Sequence, residues 1–419
     1  MMSVRRHIAG LAMAVIGVTL LPSCSHSPSR SQARLEAANA RVKAARLEDD
    51  PAVAARLDEM RAALSREPAP ILDEFQIRVD NAHDGDHDVE VTARVPVPNP
   101  FEFRAERSVR RRATGITEAR MDETILERRA ELCFRNVEGQ DGLQRAELYA
   151  VYEAQQLDLL DWNRRTRESG ALNEQMATRF EIERRVRLAK RIPPPPAPAM
   201  PANEEGLGLP VVGTAPETKL VRNPEHIRTI VRRVHPSVAV QKAEAERYAA
   251  MSRRAWSRDL PWLDFVDVSY EARQGRTDQI AGQIAVRVPL GSTGRAETRR
   301  FTALRDSKKR DSDRVTRDHA RRARLALDEI DQFESNTARW HLLLDLAEQA
   351  SATAESWKRD RRGSPSQVAG LFDDVYEART TVLSARTRAG LAACSLLSST
   401  GVPAADWRRE PVPGLPLAD

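Results

Sequence analysis

The sequence predicts a mainly α-helical chain with a β part, built as a tandem repeat in which a strand hairpin is followed by a long coiled-coil helical hairpin. Two alternating strand pairs and two helical stretches too long for a domain core point there. So does internal repetition, which sets the whole fold. Arg94-Val95-Pro96 recurs as Arg287-Val288-Pro289, and Gly170 recurs as Gly363, each 193 residues further on.

The N-terminus carries Arg5 and Arg6, an apolar stretch over 8–21 and then Leu21-Pro22-Ser23-Cys24. A basic start and an apolar run too short to span a bilayer make residues 1–23 a signal peptide. The Leu-x-Ser-Cys end resembles a bacterial lipobox, in which the signal is cut before the cysteine and the thiol takes a diacylglycerol. Cys24 is therefore expected as the lipidated first mature residue, facing outer-membrane lipid, since Ser25 and not Asp follows it. The competing reading is an ordinary secretory signal with a chance cysteine.

No later stretch offers eighteen consecutive apolar residues, so any span beyond the signal would be made of strands. Lys plus Arg number 66 against 61 Asp plus Glu, and the charges are interspersed along helical segments. A nucleic-acid partner would call for clustered basic residues and is not expected. Aromatics at 5% argue against one large globular core. Cys133 and Cys394 are the thiols left after lipidation, too few for a disulfide scaffold. Counted from Gly170 and Gly363 they stand 37 and 31 residues up their helices, about 10 Å apart in height. A disulfide and two buried free thiols both fit that spacing.

After an N-terminal helix region at 24–68, the first hairpin is expected within 69–100. Phe75, Ile77 and Val79 alternate with polar residues, as do Val89, Val91, Ala93 and Val95 beyond a polar turn at 81–87. A helical hairpin over 101–192 turns at Gly170, and a Pro-rich linker covers 193–216. The second unit opens with a helix in 217–260. Its strand hairpin, in 261–290, alternates Val266, Val268 and Tyr270, then Ile280, Ile284, Val286 and Val288, with polar neighbours. In the helical hairpin of 291–402, no proline or glycine falls between Arg295 and Arg362. Ala323, Ala326, Ile330, Phe333, Thr337, Trp340, Leu344 and Ala347 keep alternating spacings of three and four, which is a heptad seam. Such a helix reaches about 100 Å, the length of a tube wall. Gly363 ends it, Ser364-Pro365 restarts a helix, and 403–419 is a tail.

Strands apolar on one face and polar on the other fit a transmembrane barrel, with Val89, Val91, Val95, Ile280, Ile284, Val286 and Val288 toward lipid. The same pattern serves a half-buried sheet in a soluble domain. Four strands cannot close a barrel, so several protomers must pool them if they lie in a membrane.

The order helix, strand pair, long helix, Gly turn, return helix, given twice after a lipobox, resembles the outer-membrane efflux protein family typified by TolC. Three motifs carry the likeness: Val288-Pro-Leu-Gly-Ser-Thr-Gly-Arg295, the stretch from Arg361-Arg-Gly-Ser-Pro-Ser-Gln to Ala378, and Arg232-Arg-Val-His-Pro-Ser-Val with its Glu244-Ala-Glu helix. The likeness runs from about residue 30 to 402. Pro98-Asn-Pro100 departs from the family's Gly-rich strand exit. The resemblance implies a homotrimer, three protomers giving four strands each to a twelve-stranded transmembrane β-barrel continued by a periplasmic α-helical barrel. It further implies a channel of a tripartite efflux system, taking small molecules from an inner-membrane pump through a periplasmic adaptor protein. Adaptor docking would then fall to the tips at Arg167, Gly170, Arg361, Arg362 and Gly363, with Arg164, Arg165 and Arg359 near them. A solvated helix end with cations at its C-terminus explains the same arginines.

The run from His83 to Asp88 concentrates imidazoles and carboxylates, but its spacing matches no defined metal loop and it reads as a solvated turn. With scattered histidines, no nucleophile elbow and no phosphate-binding loop, neither an enzyme nor a cofactor is expected. The rival function is a periplasmic coiled-coil lipoprotein with a structural or scaffolding role.

Overall fold

A computed structural model of the chain describes residues 28–65, 76–81, 89–97, 99–191, 220–221, 223–272, 279–288, 293–360, 362–402 and 407–408. The expected N-terminal helix is two, α1 (Pro28–Ala44) and α2 (Pro51–Ser65). The break has a local cause: Pro51 cannot donate in a continuing helix, and the Asp50 carboxylate accepts from the N–H groups of Ala52 and Val53 at 2.9 and 3.1 Å. Both helices lie against the next long helix, where Val42, Val53, Met121 and Ile125 bury one another.

Four strands follow the predicted alternation: β1 (Gln76–Asn81), β2 (Val89–Pro96), β4 (Trp262–Ala272) and β5 (Gln279–Arg287), while β3 (Leu220–Val221) pairs in parallel with β6 (Trp407–Arg408) elsewhere. The two hairpins are not separate. β2 pairs antiparallel with β4, making one sheet in the order β1-β2-β4-β5, whose edges β1 and β5 have no further partner among the described residues. Across the central seam Arg94 stands opposite Asp267 and donates to both carboxylate oxygens at 2.9 Å, with its guanidinium 4.1 Å over the Phe265 ring.

The helical part is α3 (Pro100–Glu168), α4 (Glu174–Lys190), α5 (Pro224–Val234), α6 (Pro236–Ser257), α7 (Thr293–Ser335), α8 (Thr337–Arg359) and α9 (Pro365–Thr400). Two stretches expected as single helices are divided. Pro236 forces His235 out of the helical region, to φ -69° and ψ 124°, and so splits α5 from α6. Ser335-Asn336-Thr337 interrupts the long seam, because Asn336 and Thr337 turn their side chains onto the carbonyls of Gln332 and Glu334. Above and below that break the heptad positions Ala323, Ala326, Ile330 and Ala347 are buried as expected, while Thr337 beside it is exposed.

α6 lies between the two long helices. Its Glu244 pairs with Arg120 of α3 at 3.1 Å and with Lys308 of α7 at 2.7 Å, and Tyr248 stacks near Phe301. At its top, His235 lies 3.9 Å from the ring of His319. Burial pulls both imidazoles below their usual range, His319 to about 4, so the pair is neutral at neutral pH. Gly294 begins α7 where the backbone passes so close to Asp259 that a Cβ would stand 2.4 Å from its Oδ1, which explains a glycine beside Arg295.

α3 and α9 run antiparallel and are joined by a disulfide between Cys133 and Cys394, with Cα atoms 5.6 Å apart. Below it the Cβ of Gly390 would meet Val137 at 3.0 Å, and Thr387 donates to Asp141 at 2.6 Å. The two cysteines are level, although they stand at unequal distances from their turns. The six-residue difference goes into the turns instead, so Gly170 reaches about 9 Å beyond Gly363. Lys358 pairs with Asp158 across an offset of 200 residues where the repeat offset is 193, which measures the same stagger.

Candidate functional site

The chemistry-bearing parts lie at opposite ends of the molecule. In the sheet, residues directly opposite share a face. The pairing of Ile77 with Ala93, Val91 with Tyr270, Val95 with Val266, Tyr270 with Ile280 and Val266 with Ile284 therefore gathers one continuous apolar face. Thr92, Arg94, Asp267, Ser269 and Gln283 take the other. A bulge at Asp264 shifts the register so that Leu263 meets Val286 and rejoins the apolar side. Among the described residues, none of the buried clusters of the helical part includes a strand residue. Ile77, Ile280, Ile284, Val286 and Val288 are each 60% or more exposed, and Val91 and Val95 are half-buried between their neighbours. Val89 pairs through its backbone with Asn81 and Ala272.

The opposite end carries the two turns. Gly170 has φ 71°, its N–H bonding to the carbonyl of Arg167 at 3.0 Å while the next N–H reaches Thr166 at 3.2 Å. Both bonds close the last turn of α3 as a Schellman motif. Gly363 has φ 84°, and a Cβ there would also press on Gln367 and Trp357 at 3.1 and 3.4 Å. Ser364 and Gln367 form a reciprocal capping box that starts α9, with Pro365 in its first turn. Arg164, Arg165, Arg167, Arg359 and Arg362 are exposed at these turns. Arg164 leans on Asp161 and Arg362 on Asp360, at 3.1 and 3.8 Å. Arg361, Cys24, the turn from His83 to Asp88 and the Pro193–Pro196 run lie outside the described residues.

Just above the turns, Leu159, Phe180, Ala354, Val368 and Phe372 bind all four tip helices into one apolar plug. Over that plug sits a clasp that the sequence reading missed. The Asp373 carboxylate, almost fully buried, accepts from Tyr152 Oη and from Arg184 Nη1, each at 2.6 Å, and also holds Arg187. The Arg191 guanidinium lies 4.4 and 4.5 Å from the rings of Tyr152 and Tyr376. Burial, then the bond to Asp373, pushes the Tyr152 hydroxyl above its usual range. The clasp joins α3, α4 and α9, so the short return helix of the first unit is locked to the long one of the second. A signal for it does exist: Asp373 interrupts the stripe Ala369, Phe372, Tyr376, where an acid needs a buried partner.

No protein-family model matches the chain, and no curated relative does. Solved structures match over most of its length. A membrane protein from Pseudomonas aeruginosa is 13% identical, covering 88% of this chain and 91% of its own with a TM-score of 0.59. The outer membrane protein VceC from Vibrio cholerae is 10% identical over 88% and 97%, TM-score 0.57. The open state of the Neisseria gonorrhoeae MtrE outer membrane channel is 13% identical over 89% of each chain, TM-score 0.54.

Removing the Asp373 carboxylate leaves the buried Arg184 charge unpaired. Asp373→Ala should cost about 3–5 kcal/mol, seen as a lower Tm, and adding Arg184→Met should recover part of that loss. Equal losses in the single and double variants would mean that the pair does not act as a unit. With its sheet, long helical hairpins and staggered turns in this arrangement, the chain has the fold of the TolC-like outer-membrane channels.

Proposed function

We propose that this chain is the outer-membrane channel component of a tripartite efflux system, passing small molecules outward from an inner-membrane pump and a periplasmic adaptor. The observation that carries this reading is the sheet. Among the described residues no buried helical cluster shares its continuous apolar face, and its two edge strands, β1 and β5, have no outer partner, so it is unfinished in a single copy. Three copies joined edge to edge supply twelve strands, enough to close a barrel with lipid outside and the Thr92, Asp267 and Gln283 face toward water. Closure also removes the exposed edges, which are otherwise sites of uncontrolled pairing. The long helices then continue the barrel as a periplasmic tunnel, and the matched outer-membrane channels of known structure support that assembly. A scaffolding tether would need a layer over the apolar face.

In this reading Cys24 anchors the chain to outer-membrane lipid. Labelled palmitate should enter the wild-type chain and be absent after Cys24→Ala; undiminished labelling would move the anchor elsewhere.

Placing a charge on the lipid face separates a membrane barrel from a soluble sheet. Ile284→Arg or Val91→Arg should cost about 2–4 kcal/mol near mid-membrane, and Gln283→Arg on the opposite face little. Heat-stable oligomer in outer-membrane fractions measures the difference, and equal tolerance on the two faces would take the sheet out of lipid.

The turns at Gly170 and Gly363 close the helical hairpins at the end farthest from the strands, and together with Arg167, Arg361 and Arg362 they are assigned to adaptor docking. A β-branched residue at φ 84° is strained by about 1 kcal/mol or more. Gly363→Val with Arg361→Glu and Arg362→Glu should leave the trimer in the outer membrane and abolish dye efflux. Normal efflux from such a strain would refute docking at these turns, and loss of trimer would assign them to folding.

A further inference from the structure

The Cys133–Cys394 disulfide joins α3 to α9 across 261 residues, so it ties the first repeat unit to the second. Cys394 is fully buried, on a stretch of α9 where Ala392, Leu396 and Leu397 are buried too, and Cys133 is half-buried. A Cβ at Gly390 would stand 3.0 Å from Val137, and Thr387 donates to Asp141 at 2.6 Å, so the two helices are in close contact beside the bond.

Such a bond could be left to a small oxidant acting on the folded chain, but two observations oppose that. The first is access. Exchange needs a thiolate within reach of the incoming sulfur, and apolar burial of the kind seen at Cys394 withholds both. The second is time. Helical segments pack within about a second, whereas uncatalysed disulfide chemistry takes roughly minutes to hours. A slow oxidant would meet a closed seam.

We infer that this chain is the substrate of a periplasmic dithiol oxidase, which installs the Cys133–Cys394 bond on the newly exported chain before α3 and α9 pack. The inference needs only export, which the N-terminal signal predicts, and goes beyond what the assembled chain conducts. Cys133 leads in the exported chain. Its Sγ, as thiolate, attacks one sulfur of the oxidase disulfide; that bond breaks, and the second oxidase sulfur leaves as a thiolate. Cys394 Sγ then attacks Cys133 Sγ, which forms the bond seen here, breaks the mixed disulfide and releases the oxidase as a dithiol. Two electrons and two protons pass from the chain to the oxidase. Cys24 is nearer to Cys133 in sequence than Cys394 is, and as a free thiol it would close the shorter loop. A thioether takes no part in exchange, so the proposed acylation of Cys24 leaves a single pairing.

The test is to export the full-length chain in strains holding and lacking the periplasmic dithiol oxidase, and to alkylate free thiols after acid denaturation. Cys133 and Cys394 should be unlabelled in the first strain and labelled in the second. Cys394→Ala should hold Cys133 in a mixed disulfide with the oxidase, seen as a band that a reductant releases; this capture does not require the variant to fold. The order is tested by exporting the chain under dithiothreitol, removing it and following the protease-resistant fraction. Resistant chains should keep both thiols while newly exported chains lose theirs, or resistance should appear only once the thiols are gone. Full oxidation without the oxidase would overturn the partner, and resistant reduced chains that oxidise as fast as new ones would overturn the order.

Discussion

Everything at the strand end depends on the pairing of β2 with β4. Each hairpin alone is two-stranded and marginal in water. Joining them puts Val91 beside Tyr270 and Val95 beside Val266, so that two short apolar ribbons become one face. Strand side chains alternate with period two, and a slip of one residue at this seam would throw every apolar residue of one hairpin onto the polar side of the other. Arg94 and Asp267 hold the seam in register with a two-pronged ion pair that no shifted alignment reproduces. The bulge at Asp264 keeps Leu263 in line with Val286 where the strands begin.

At the other end the equivalent constraint is the antiparallel seam of α3 with α9. Small residues let these helices approach closely, Gly390 beneath Val137, and the Cys133–Cys394 disulfide fixes their axial position. Axial position is what a long helix pair leaves least determined, since neighbouring heptads offer similar packing. The clasp around Asp373 then fixes the lower part laterally. With both in place, the staggered heights of Gly170 and Gly363 follow from the covalent chain.

Much of this was legible in the sequence because it rests on local physics. Period-two alternation marked Val91 to Val95 and Ile280 to Ile284, and Gly363-Ser364-Pro365 marked a helix stop and restart by conformational preference alone. What was hidden depends on distant partners or on competing local bonds. That β2 joins β4 is a contact across 173 residues, as measured by Arg94 and Asp267. The disulfide could not be read from heights counted down to the turns, since that count assumed level tips. The break at Asn336 lay within a stretch free of glycine and proline, where Ser, Asn and Thr turned their side chains onto the backbone. Arg184 and Asp373 looked like two more charges among many until burial distinguished them.

The two repeats have also ceased to be equivalent, and the differences are of one kind. A duplicated chain repeated three times would approach sixfold symmetry, in which every helical hairpin meets the same neighbours. Here the first return helix, α4, has 17 residues against 36 in α9. The disulfide and the Asp373 clasp both join one unit to the other. The first unit covers Met121 and Ile125 with α1 and α2, whereas the residues 193 further on, Arg314 and Asp318, are exposed. Each departure gives the short hairpin a support that its own helices cannot supply, and places charge where the longer one needs no cover. In the proposed trimeric ring two kinds of hairpin would alternate, with tips at two heights, so a partner docking end-on would meet a threefold surface of six unequal knobs.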